Sequence, residues 1–272
     1  MEVIITPDRD KVALLTARIV AKELRAKPNL VLGLATGRTM ERVYGYLAHF
    51  HQREGLDFSR CHTFNLDEYI DLPAGHEGTY RQYMEQHLFQ KVNIPQEHTH
   101  LPDGAAPDLG AECLRYESRI RELGGIDLQL LGIGIDGHIG FNEPLSALLS
   151  RTREKALTPA TLAQNAEMFG GDVARVPRRA ITMGVGTILD CARCLLLATG
   201  STKAAVLVQA VEGPITSMVT ASALQLHPRC QVVVDEEAAT ALRGQEYYRW
   251  IFANEPEWTE FRNLDALEPC IS

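Results

Sequence analysis

The sequence predicts a single-domain α/β protein with an open, mainly parallel sheet and helices on both faces. Three observations predict it. Short apolar runs, each about the length of a buried strand, recur along the chain, among them residues 30–35 (LVLGLA), 127–133 (DLQLLGI), 195–199 (LLLAT) and 231–235 (QVVVD). Stretches with apolar residues at helical spacing separate most of these runs. Several runs end abruptly in glycine or polar residues, as a strand does when it turns into a helix.

The elements follow in order. Residues 3–6 give the first expected strand. Asp8 or Asp10 then caps a helix with Val12, Leu15, Ile19, Val20 and Leu24 near one face, and Pro28 and Asn29 end it. Residues 30–35 give the second strand, followed by a helix over about 41–49. Residues 61–66 give the third, with Asp67 and Glu68 just past its end. Residues 79–89 and 108–123 read as amphipathic helices. Strands are expected over 127–133, 181–185 and 195–199, then a helix through Val211 that Gly213-Pro214 stops, then a last strand over 231–235. No repeat, low-complexity segment or linker divides the chain, so residues 1–272 read as one domain, with a mobile tail from about residue 255.

Composition narrows the function classes. At 45% hydrophobic and 23% charged residues the chain can bury a sizeable core. Its formal charge of −8 argues against nucleic-acid or anionic-membrane partners, which need a basic face. No apolar run approaches the roughly 20 residues of a membrane-spanning helix. Met1-Glu2-Val3-Ile4-Ile5 lacks the basic and long apolar parts of a signal peptide. The expected location is cytoplasmic, with the six cysteines reduced. Cys191 and Cys194 form a C-x-x-C pair, but nothing nearby completes a zinc site, so both read as semi-buried thiols at a helix-to-strand junction.

In open parallel sheets, ligands bind beyond the carboxyl ends of the strands. Four polar stretches belong there: Thr36–Thr39, Asp67–Glu68, Asp136–Glu143 and Gly200–Lys203. The first and last each offer backbone N–H groups, hydroxyls and one cation at a helix start, which suits a small phosphorylated ligand. Neither has Walker A spacing or the dinucleotide-binding glycine pattern. The most informative stretch is 130–144 (LLGIGIDGHIGFNEP), where Asp136, His138 and Glu143 stand in a run that is otherwise mostly apolar or glycine. Either carboxylate could orient the imidazole and favour its protonated form, keeping it poised for proton transfer. A metal held by the same three residues is the weaker reading, because one imidazole with two carboxylates is an unremarkable ligand set.

These residues carry a resemblance. The segment 131–144 resembles the signature of the glucosamine-6-phosphate deaminase family. So do 33–37 (GLATG), 63–69 (TFNLDEY), 150–153 (SRTR), 185–189 (VGTIL), 200–203 (GSTK) and 224–228 (LQLHP), in the family's order and at family-like spacing. The related 6-phosphogluconolactonases share the G-x-D-G-H core but not Phe141-Asn142-Glu143-Pro144, which favours the deaminase branch.

The resemblance implies a Rossmann-like sheet of the deaminase/phosphogluconolactonase type. It also implies conversion of glucosamine 6-phosphate to fructose 6-phosphate and ammonia, with no metal or other cofactor. By position, His138 would assist ring opening, Asp136 and Glu143 would tune it, and Asp67 would move the proton between C2 and C1. Gly132 would approach the sugar, while Thr36, Gly37, Thr39 and Lys203 would hold the phosphate. Residues 157–176 would form a mobile lid, with Phe169 near the site. Ser146, Arg153 and Lys155 resemble the pocket of allosteric members for N-acetylglucosamine 6-phosphate at a subunit interface. A homo-oligomer is expected, many relatives being hexamers and others monomers.

The chain departs from the pattern in three places. Arg38 stands where the family has a small residue, Glu167 aligns with a lid arginine that reaches the phosphate, and Gly140 replaces a more usual alanine. Arg38 is therefore expected to supply the phosphate-binding charge from the loop, and Glu167 to close the lid by pairing with Arg38 or another cation. The alternatives are galactosamine 6-phosphate as substrate, a phosphogluconolactonase-like hydrolase, and a non-catalytic sugar-phosphate sensor.

Overall fold

The computed structural model describes residues 1–73 and 75–263. The chain opens with strand β1 (Glu2–Thr6) and helix α1 (Arg9–Ala26), which Asp8 caps by accepting from the N–H groups of Asp10 and Lys11. Strand β2 (Val31–Leu34) leads through Gly37 into α2 (Arg38–Glu54), and Gly55, at φ 67°, ends that helix in the left-handed region. Next come β3 (His62–Asn65), β4 (Asp67–Tyr69), α3 (Tyr80–His87), β5 (Thr99–His100), α4 (Leu109–Glu122) and β6 (Leu128–Leu131). The loop after β6 leads to β7 (Arg153–Ala156), α5 (Pro159–Asn165), β8 (Arg179–Thr182) and α6 (Val185–Leu189). The chain then runs through β9 (Cys194–Ala198), α7 (Ala204–Val211), β10 (Cys230–Asp235), α8 (Glu236–Ala239) and α9 (Gln245–Asn254).

Seven strands form the main sheet in the order β1-β10-β9-β6-β2-β3-β5, every pair parallel. Every residue of β2, β6, β9 and β10 is buried, so both faces of the sheet's centre are covered. This is the fold class the sequence predicts. Close strand packing also has a local cause: a Cβ at Gly33 would stand 2.0 Å from Oε1 of Gln129 on β6. No helix among the described residues is long and apolar enough to cross a membrane.

Four expectations need correction. Asp67 does not sit in a loop. Leu66 still bonds Leu34 in the manner of β3, and the chain then bends so that Asp67–Tyr69 pairs antiparallel with β8. The strand expected over 181–185 is β8, which lies in a separate antiparallel sheet, β4-β8-β7, and stops at Thr182. Val185 instead opens α6, after Gly184 passes so close to the backbone of Ser150 that a Cβ would stand 2.0 Å from its carbonyl oxygen. Helix α2 starts at Arg38, so Arg38 and Thr39 lie in its first turn. Within the stretch expected as a tail, residues Pro256–Phe261 form a 3₁₀ helix that buries Trp258 and Phe261, with Arg193 reaching Glu257 at 3.1 Å. Residues 264–272, and Cys270 with them, lie outside the described residues.

Candidate active site

The polar stretches after β2, β6 and β9 converge on one rim, and Asp67 joins them from β4. Thr39 Oγ1 lies 3.4 Å from Oγ1 of Thr199, which joins the turns after β2 and β9. Lys203 Nζ donates to the carbonyl of Ile133 at 2.7 Å, which joins the β9 turn to the loop after β6. A Cβ on Gly140 would stand 3.4 Å from Oδ2 of Asp67, which brings β4 to the same place. Gly132 faces open space, since a Cβ there would meet no atom within 4 Å.

The loop after β6 is folded around its histidine. Gly134 N–H donates to the carbonyl of His138 at 2.9 Å and Gly137 N–H to that of Gly134 at 3.2 Å. Gly137 takes φ 86°, which a side chain would strain. His138 Nδ1 stands 2.6 Å from Oδ1 of Asp136 and 3.6 Å from Oε2 of Glu143. Burial alone would raise the Asp136 carboxyl; its hydrogen bond and charge attraction to His138 outweigh that and hold it at about 2. Glu143 is buried and accepts from the N–H of Thr158 at 3.1 Å and from its hydroxyl at 3.3 Å. Lys203 is partly desolvated, which lowers its ammonium against a smaller raising effect of Asp136.

Asp67 is buried, and desolvation with the neighbouring Glu68 charge pushes its carboxyl well above the usual range. Glu68 is fixed by three backbone donors, the N–H groups of Tyr69, Tyr80 and Arg81, at 2.8, 2.9 and 2.9 Å. The site thus holds a proton-hungry carboxylate on one side. On the other it holds a histidine clamped to a carboxylate that stays ionised.

One group among the described residues has the composition of a metal site: donor atoms of Asp136, His138 and Glu143 lie within 4.8 Å of one another. The short Asp136–His138 contact already gives both partners a proton-handling arrangement.

The stretch 157–176 is an excursion between β7 and β8. Its base is closed by the backbone bond from Leu157 N–H to the carbonyl of Arg178 at 2.9 Å. Its tip lies on the site. Asn165 Nδ2 donates to the Tyr69 hydroxyl at 2.9 Å, and Phe169 packs edge-on against Tyr69 with ring centroids 5.5 Å apart. Tyr69 in turn packs against Tyr80, with ring centroids 5.0 Å apart. Arg38 and Glu167, both exposed, form an ion pair across the gap between α2 and this excursion.

Ser146, Arg153 and Lys155 lie to one side. Ser146 Oγ is buried without a hydrogen-bond partner, Arg153 Nη1 donates to Oδ1 of Asn142 at 2.8 Å, and Lys155 shares a face of β7 with Arg153. Cys191 and Cys194 are buried between α6 and β9, and desolvation raises both thiols.

Sequence reasoning missed Thr158, Tyr69, Tyr80 and Asn165. Only Thr158 carried a readable signal, a threonine before Pro159 that marks a helix start.

The family model for glucosamine-6-phosphate isomerases/6-phosphogluconolactonase matches residues 9–234. A glucosamine-6-phosphate deaminase of Arthrobacter sp. (strain FB24) is 47% identical over 258 residues, 95% of this chain and 99% of the relative. Glucosamine-6-phosphate deaminase 2 of Giardia intestinalis is 50% identical over 226 residues, 83% of this chain and 86% of the relative. The solved structure of a monomeric glucosamine-6-phosphate deaminase superposes with a TM-score of 0.86 at 42% identity, covering 89% of this chain and all of that one. A 6-phosphogluconolactonase from Trypanosoma brucei shares the fold at 18% identity, with a TM-score of 0.70 over 89% of this chain and 98% of its own.

Proposed function

The chain belongs to the glucosamine-6-phosphate isomerase/6-phosphogluconolactonase family, and from that premise we propose that it is an isomerising glucosamine-6-phosphate deaminase. It converts glucosamine 6-phosphate and water to fructose 6-phosphate and ammonia. The observation that carries the reading is the convergence on one rim of the buried Asp67 carboxyl and the Asp136–His138–Glu143 cluster, two groups suited to proton transfer.

The chemistry asks for both. A cyclic amino sugar must first open, which moves a proton from the C1 hydroxyl to the ring oxygen. His138, oriented by Asp136, suits that step. The amine on C2 can leave only once C2 has become an imine carbon. Moving a proton from C2 to C1 of the open chain, while a second proton passes from the amine to the C1 oxygen, achieves this; a carboxylate with raised proton affinity can both take and return the first, which is the role we give Asp67. Water then adds to C2 and ammonia departs. Gly132 leaves room for the sugar. Thr36, Gly37, Thr39 and Lys203 hold the phosphate with hydroxyls, backbone N–H groups at the start of α2 and one ammonium. Arg38 adds a guanidinium, shared with Glu167 until substrate arrives.

We further propose that Ser146, Arg153 and Lys155 take a second sugar phosphate of the N-acetylglucosamine 6-phosphate kind as an activator. The buried Ser146 hydroxyl without a hydrogen-bond partner, and the two cations on one face of β7, support this. Assembly into an oligomer in the cytoplasm belongs to the same proposal. The exposed Leu145 and Met218, neighbours through the bond from Leu145 N–H to the carbonyl of Ser217, are surface that assembly would cover.

The test is ammonia release from glucosamine 6-phosphate and galactosamine 6-phosphate, run beside hydrolysis of 6-phosphogluconolactone. Release from the first substrate is expected. Lactone hydrolysis without ammonia release would overturn the reading.

A further inference from the structure

Glu143 has an unusual pair of partners. Both oxygens of this buried carboxylate are held by one residue, Thr158, through its N–H at 3.1 Å and its hydroxyl at 3.3 Å. Thr158 is the first residue past the hinge bond of Leu157, and it also caps α5 by accepting from the N–H of Thr161 at 3.3 Å. The first turn of the lid therefore grips a carboxylate whose other close neighbour is the imidazole of His138, 3.6 Å from Oε2.

A carboxylate removed from water needs donors, and one that loses them must turn or take up a proton. A swing of this segment about the Leu157 hinge bond would take both donors from Glu143. We propose that Thr158 is a positioning residue that couples lid closure to the active site: only with the lid docked is Glu143 held at His138. Three further contacts dock the lid, Asn165 on Tyr69, Phe169 on Tyr69, and Glu167 on Arg38. Engagement of the sugar phosphate at the far end of the lid and orientation of Glu143 at its base are then two ends of one rigid movement.

The proposal rests on the deaminase reading for its kinetics but not for its structure, and the experiment separates the two. Thr158→Val keeps the shape and the N–H but removes the hydroxyl. It should lower kcat about tenfold or more, leave KM within about twofold, and shift the pH profile of kcat. Thr158→Ser should restore most of the loss. In a Glu143→Gln background, Thr158→Val should cost little more, because both act through one carboxylate. Losses that add in the double variant, or a Thr158→Val enzyme with wild-type kcat and pH profile, would overturn the coupling. Hydrogen exchange of residues 158–165 reads the same contact without substrate. Faster exchange in Glu143→Gln is expected, and unchanged exchange refutes the coupling even if the protein releases no ammonia, a result that by itself counts only against the deaminase reading.

Discussion

Gly134 is the point where one methyl group should separate activity from stability. Its backbone is not in the left-handed region, so alanine is sterically acceptable to the main chain. The obstacle is the imidazole. A Cβ at 134 would stand 2.4 Å from Cε1, 2.5 Å from Nδ1 and 2.6 Å from Nε2 of His138, where ordinary contact begins at 3.4 Å. The ring must therefore retreat by about 3.4 − 2.4 = 1.0 Å. The Nδ1–Oδ1 contact with Asp136, now 2.6 Å, cannot survive such a shift unless Asp136 follows. A misplacement of about 1 Å at a reacting group typically costs on the order of 10²-fold, near 2.7 kcal/mol of barrier. Relief of the overpacking by a side-chain movement should cost roughly 1–3 kcal/mol of stability. Gly134→Ala should thus stay folded at 25 °C while kcat for ammonia release falls about 10²-fold. Paired measurements of kcat and Tm decide it. A variant within threefold of wild-type kcat would refute the claim that the ring packs on Gly134 during turnover, and a loss of activity that only tracks unfolding would refute the assignment to His138.

Arg38→Gly should lower kcat/KM for glucosamine 6-phosphate about tenfold or more, the loss of one charge-assisted contact of ~1.5–3 kcal/mol; an unchanged value would remove Arg38 from the phosphate site. Asp67→Asn should abolish deamination yet leave Tm at pH 8 equal to wild type or higher. The raised folded-state affinity of Asp67 for protons means that its ionisation opposes folding as pH rises, a cost the amide lacks. For the same reason the acid limb of wild-type kcat/KM should lie above the ordinary carboxylate range, and a limb at the ordinary aspartate value of 3.8 would contradict the assignment. His62 and His100 at the β3–β5 edge, both held below the usual imidazole range first by burial, should make the protein acid-labile. Burial first, then Arg119, holds His100 down at about 4 against an ordinary 6.5, so the unfolded chain gains its proton earlier and stability falls as pH drops through that window. A Tm that declines between pH 6.5 and 4 as steeply in His100→Gln as in wild type would show that the protons responsible sit elsewhere.

The main sheet was legible because its central strands are buried on both faces and read as unbroken apolar runs. What was missed had no such signature. Strand β5 is two residues long, and β7 reads Arg-Glu-Lys-Ala, a polar sequence held in place by pairing with β8. Asp67 was expected just past β3 but opens β4, because nothing local marks where the chain leaves β3 for the second sheet. The ion pair of Arg38 with Glu167 was legible as two departures from a pattern that compensate each other in charge. The grip of Thr158 on Glu143 spans fifteen positions of sequence and depends on how two loops meet, so it became visible only in three dimensions.

The excursion over 157–176 begins and ends on strands that are already paired, Ala156 opposite Arg179, with one backbone bond across its neck. Its ends are thus held together whatever lies between them. A segment of that kind behaves as a cassette: it can be lengthened, shortened or exchanged for another lineage's version with little consequence for the seven-stranded sheet. Single changes such as the glutamate at 167, which pairs with Arg38, can therefore accumulate in the cassette while the fold beneath it stays constant.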